Sequence, residues 1–167
     1  MRQLKMFAAL TVTCVLLLAP SAVAQTQPFS ASFKGKQTRN DPPCPGGALF
    51  CGNGSVAGYG AATFSVVPTS IGPLTGRCAP VTALTTIALA DGTGSLTIAA
   101  AGEVCYPGNS QNAPGQSRSF GNPFRIAATF DVIGGTGVFA GADGGGTATL
   151  KGAGAQSKLT ASGVLEL

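Results

Sequence analysis

Residues 81–89 and 95–104 flank a single turn signal, Asp91-Gly92, and alternate small apolar side chains with threonine or alanine. Asp-Gly between two such runs marks a β-hairpin with a two-residue type I′ turn. With Asp91 and Gly92 as the loop, counting outward in equal steps fixes every facing pair. Ile87 then meets Leu96, Thr85 meets Ile98 and Ala83 meets Ala100, on one mainly apolar face. Thr86 meets Thr97 on the other face, which also carries Glu103. The same count sets Cys78 opposite Cys105, at a separation a disulfide spans.

Of the five cysteines, Cys14 lies in an N-terminal apolar run, which leaves Cys44, Cys51, Cys78 and Cys105. An even set in an exported chain points to disulfides, with three connectivities open. The hairpin register selects Cys78–Cys105. By elimination Cys44 pairs with Cys51 and clamps the loop Pro45-Gly46-Gly47-Ala48-Leu49-Phe50. Loop closure assigns about 2.5 kcal/mol to the short bridge and about 3.6 kcal/mol to the long one. A four-cysteine metal site would need closer Cys-x-x-Cys spacing, so no metal is expected.

Export is read from the N-terminus. Arg2 and Lys5 form a basic head, Phe7 to Leu18 is almost wholly apolar, and Ala22-Val23-Ala24 offers the small-x-small pattern cut by signal peptidase. The apolar run is short for a membrane span. The expectation is a signal peptide over 1–24 and one β domain over 25–167, secreted to an extracellular or periplasmic space. No later stretch has membrane length.

Arg2 and Lys5 supply two of the charges behind the formal net charge of +4. The other basic residues (Lys34, Lys36, Arg39, Arg77, Arg118, Arg125, Lys151, Lys158) are scattered along the chain. No stripe or aromatic-interleaved patch argues for nucleic acid. Lys34, Lys36 and Arg39 read as a solvated strand edge. The chain has no His and no Trp. A Ser-His-Asp or Cys-His triad and a His-built zinc site are therefore excluded. Nothing in the pattern calls for a cofactor.

Helical periodicity is missing after residue 24, whereas short alternating runs and glycine are abundant. Seven strands are expected. Phe29 to Phe33 comes first, followed by a proline, glycine and cysteine loop through Gly54. Val56 to Val67 follows, bending or splitting at Gly58 and Gly60. Pro68 to Arg77 reads as a turn region before the two hairpin strands. Tyr106 to Asn122 reads as a long exposed loop, a length uncommon without a functional reason. Phe124, Ile126, Ala128, Phe130 and Val132 share one face of the next strand; Gly145–Lys151 and Leu159–Leu165 complete the set. Such a series implies a sandwich or a closed barrel, and closure removes exposed edges.

Between the last strands runs Gly134-Gly135-Thr136-Gly137-Val138-Phe139-Ala140-Gly141-Ala142-Asp143-Gly144. Read mechanically, its glycines allow a compact barrel-closing corner and Phe139 folds inward as a plug. A phosphate loop lacks its Gly-Lys-Ser/Thr, and a calcium loop lacks repeated aspartates. The motif G-G-T-G-x-F-x-G-A-x-G resembles the signature of the dirigent and allene oxide cyclase-like superfamily, closest to its exported bacterial members. That resemblance implies a closed antiparallel eight-stranded β-barrel of the calycin or lipocalin kind, all-β, with an apolar cavity. Plant members steer phenolic radical coupling or cyclise an unstable fatty-acid epoxide. Their catalytic residues do not map onto this chain.

Glu103 and Asp131 are the acids well inside strands, each on the face opposite the large hydrophobes. If those hydrophobes fill the barrel, both acids meet solvent; if the lumen is the polar side, both line it, with raised pKa values suited to a general acid. Tyr59 and Tyr106 could each offer a hydroxyl at a barrel mouth. Three functions remain open. The first is a non-catalytic binder of a small apolar ligand, or a surface-acting module. The second is a cofactor-free isomerase, cyclase or dirigent-type enzyme. The third is a structural or adhesive module with a filled barrel. The lack of His and the placement of the acids favour the non-catalytic readings. Lumen size discriminates among them, since a ligand site needs roughly 300 Å³ or more.

Overall fold

Runs in which small apolar and hydroxyl side chains alternate, broken by glycine, bury one side of a pleated strand and wet the other. A computed structural model describes residues 25–37, 44–107 and 121–167, and these runs form eight strands in it. The signal peptide expected over 1–24, together with Arg39, Asp41, Arg118 and most of the loop expected over Tyr106 to Asn122, lies outside the described residues. The strands are β1 (Thr26–Gln37), β2 (Phe50–Val56), β3 (Gly60–Ile71), β4 (Cys78–Leu89), β5 (Gly94–Cys105), β6 (Gly121–Gly137), β7 (Asp143–Gly154) and β8 (Gln156–Glu166). Each pairs antiparallel with the next, and β8 returns to β1, closing the barrel. No helix among the described residues is long and apolar enough to cross a membrane.

The hairpin register holds along its length. Cys78 faces Cys105, Ile87 faces Leu96 and Thr86 faces Thr97. Both expected disulfides are present, Cys78–Cys105 with Cα atoms 4.1 Å apart and Cys44–Cys51 at 5.6 Å. The turn type differs from expectation. Only Gly92 has positive φ (76°), and no non-glycine residue does, so Asp91 does not take the type I′ conformation. Instead the Asp91 carboxylate accepts hydrogen bonds from the Thr93 backbone N–H at 3.0 Å and the Thr93 hydroxyl at 2.7 Å. These contacts hold its pKa below the ordinary carboxylate value, the backbone N–H contributing most. The wider loop is still centred on Asp91-Gly92, so the register is unchanged.

Three further expectations are corrected. Phe50 to Gly54, read as loop, belongs to strand β2; its glycines occupy places where β1 lies too close for a side chain, a Cβ on Gly52 reaching 2.2 Å from the Lys34 carbonyl oxygen. The turn region begins later than Pro68, because β3 continues to Ile71 past an irregularity between Pro68 and Ser70. Lys34 and Lys36 are on no edge, since β1 is paired on both sides.

The glycine motif is also more strand than corner. Gly134, Gly135 and Thr136 extend β6 and face Thr97, Leu96 and Ser95. A bulge between Thr97 and Ile98 resets the alternation and leaves Ile133 57% exposed. Gly135 then lies under Phe139, where a Cβ would come within 2.1 Å of the Phe139 carbonyl oxygen. The strand ends at Gly137, with φ of 59°. In the turn that follows, Phe139 is fully buried and its ring packs on Tyr59 with centroids 4.6 Å apart.

Candidate functional site

The lumen is filled by rings. Phe29 on β1 meets Phe130 on β6 at 5.9 Å, and Phe50 on β2 meets Phe124 on β6 at 5.3 Å. Both pairs join strands that are not neighbours in the barrel, so the rings span its interior. Phe33 and Phe64 pack at 5.2 Å. All these rings are buried, as are Ile87, Leu96, Val104, Leu159 and Leu165 around them. One interior cleft, bordered by Phe50, Val81, Val104, Tyr106, Phe124 and Ile126, has a volume of about 20 Å³. That is room for about one water molecule.

The four polar candidates do not converge. Glu103 and Asp131 are exposed on the outer face. Glu103 lies beside the disulfide, within 4.8 Å of the Cys78 and Cys105 sulfurs, but those sulfurs are bonded to each other and the carboxylate stands as a lone donor. Tyr59, half-buried at the Phe139 turn, accepts a hydrogen bond from the Gln27 amide. Tyr106 is buried at the opposite end of the barrel, and its hydroxyl has no hydrogen-bond partner. Burial pushes the Tyr106 phenol up to about 12, which keeps it neutral. No acid, base or nucleophile pair is assembled among these four.

The large concavity is on the outside. A depression of about 1170 Å³ crosses the outer faces of strands β7, β8, β1, β2, β3 and β4. Among the described residues, four lysines border it, Lys34, Lys36, Lys151 and Lys158, and no carboxylate does. Residues scattered in sequence become neighbours through register. Lys34 faces Lys158 across β1–β8, Lys158 faces Lys151 across β8–β7, and Lys151 faces Arg125 across β7–β6. The absence of a basic stripe, read from the sequence, is therefore corrected: four cations stand side by side on four adjacent strands. All four are exposed, as is Lys36. Asn53, Thr63, Ser65 and Thr86 supply amide and hydroxyl groups to the same depression. Ser157 also borders it, buried to 6% exposure and with its hydroxyl lacking a partner.

The signal that would have revealed this row is the short β7–β8 connection. Counting outward from Gly154-Ala155, as from Asp91-Gly92, sets Lys151 opposite Lys158. No family model, no curated protein and no solved structure matches the chain.

Proposed function

We propose that this chain is an exported, non-catalytic binding module, related to the dirigent and allene oxide cyclase-like barrels, that works through the outer surface of a filled barrel. The observation that carries the reading is the lumen. Aromatic pairs cross it, and its cleft of about 20 Å³ is far below the roughly 300 Å³ a small-molecule site needs. A cyclase or dirigent-type reaction would need a polar group beside an apolar cavity. Glu103 and Asp131 lie outside, and the Tyr106 hydroxyl meets only a cleft of one water's size. Export is supported by the leader pattern and by two disulfides, which persist in oxidising compartments.

Native mass spectrometry of protein purified from its own host tests this. The expected mass is that of the disulfide-bonded polypeptide alone. A stoichiometric apolar molecule would sink the proposal and restore a ligand-binding barrel, and turnover of a fatty-acid epoxide would restore the cyclase.

A further inference from the structure

Like charges placed directly opposite on neighbouring strands repel and destabilise the sheet. This barrel nevertheless aligns Lys34, Lys158, Lys151 and Arg125 in one lateral row. None of them makes an ion pair among the described residues. Neighbouring strands lie about 4.8 Å apart, so the row spans roughly 15 Å. Lys36 adds a fifth cation one step along β1, facing Gln156.

We infer that this row and the depression beside it bind a linear anionic polysaccharide, a sugar chain bearing carboxylate or sulfate groups. The inference rests on the outer-surface reading above and names its ligand class. Charge complementarity supplies the first argument: among the described residues, the depression is bordered by four lysines and no acid. Its remaining polar lining supplies the second. Asn53, Thr63, Ser65 and Thr86 can donate and accept hydrogen bonds, as sugar hydroxyls require.

Rival polyanions fit less well. Single-stranded nucleic acid is held by aromatic platforms as well as charge. Every described phenylalanine is buried in the barrel instead. An anionic membrane would want apolar anchors near the lysines. The exposed large hydrophobics Leu84, Ile133, Val138, Val164 and Leu167 border no part of the depression.

The test uses the disulfide-bonded protein with polygalacturonate and heparin as carboxylate and sulfate probes and dextran as the neutral control. Binding is read by calorimetry at about 0.01 M and about 1 M salt, where the Debye length falls from about 30 Å to about 3 Å. Wild-type protein is expected to bind at least one anionic glycan at low salt, to release it at high salt, and to ignore dextran. The variant Lys34→Gln/Lys151→Gln/Lys158→Gln is expected to lose about 100-fold in affinity, near fivefold for each basic residue removed from an anionic surface. It should melt no lower than wild type. A second variant, Ala57→Glu/Ala90→Glu/Ala140→Glu, shifts net charge equally from exposed sites at the other end of the barrel. It is expected to keep most of the affinity.

Equal loss in both variants would reduce the effect to net charge and overturn the site. So would wild-type indifference to both glycans, or tighter binding to single-stranded DNA or anionic vesicles. Native mass spectra of the same preparations separate the two proposals. An apolar occupant in the lumen refutes the outer-surface reading, whereas an empty lumen with no glycan binding refutes only the lysine row.

Discussion

Two adjacent glycines in one strand show how local the demands of this fold are. Gly134 and Gly135 both lie in β6, and both belong to the motif that carries the family resemblance. A Cβ on Gly134 meets nothing within 4 Å. On Gly135 it would lie 2.1 Å from the Phe139 carbonyl oxygen and 2.8 Å from the Phe139 Cβ. Backbone atoms cannot swing aside as a side-chain tip can, so the Phe139 turn itself would have to lift. Phe139 is fully buried against Tyr59, and lifting it opens the packed end of the barrel. Gly135→Ala is expected to lower stability by about 1–3 kcal/mol, the range for overpacking. Gly134→Ala should stay within about 0.5 kcal/mol of wild type. Urea unfolding of the two variants checks this, and similar losses would show that the motif's glycines serve the strand rather than the Phe139 contact.

At the scale of elements, turns decided what could be read in advance. Asp91-Gly92 located the centre of one hairpin, and everything between Cys78 and Cys105 followed from it, even though the turn conformation differs. Most of β2, Phe50 to Gly54, escaped because Cys51, Gly52, Asn53 and Gly54 look like loop residues. What makes them strand is the closeness of β1, a tertiary fact with no local signature. The bulge at Ile133 is likewise visible only once β5 and β6 are paired. The two disulfides close loops of different length, with sequence separations of 27 and 7. Their removal should therefore be unequal. Cys78→Ser/Cys105→Ser is expected to cost about 3.6 kcal/mol and Cys44→Ser/Cys51→Ser about 2.5 kcal/mol. Equilibrium unfolding in urea gives both numbers. A reversed order would mean that the ladder already holds Cys78 beside Cys105 in the unfolded ensemble, and that clamping the β1–β2 loop matters more.

The whole molecule separates its charges along the barrel axis, a property no stretch of sequence displays. The turns at 57–59, 90–93 and 138–142 share one end with Gln25 and Leu167, and that end carries Asp91, Asp143 and Glu166. The other end holds both disulfides and all six described basic residues, Lys34, Lys36, Arg77, Arg125, Lys151 and Lys158, with Glu103 as the exception among the described acids. Sequence order hides this because an up-and-down barrel returns to the same end every second connection. Lys151 and Lys158 are seven positions apart in the chain yet face each other. Lys158 has a cation on each side, Lys34 and Lys151, just as Lys151 lies between Lys158 and Arg125. Removing its charge relieves two repulsions and breaks no described ion pair. Lys158→Gln is thus expected to raise the melting temperature by about 1–3 °C at about 0.01 M salt. The gain should vanish near 1 M, where charges more than about 3 Å apart are screened from one another. Scanning calorimetry at the two salt concentrations measures both values. A gain that persists at high salt would trace to side-chain packing rather than charge, and a loss at low salt would mean that the Lys158 ammonium has a stabilising partner and that the row is not repulsive at all.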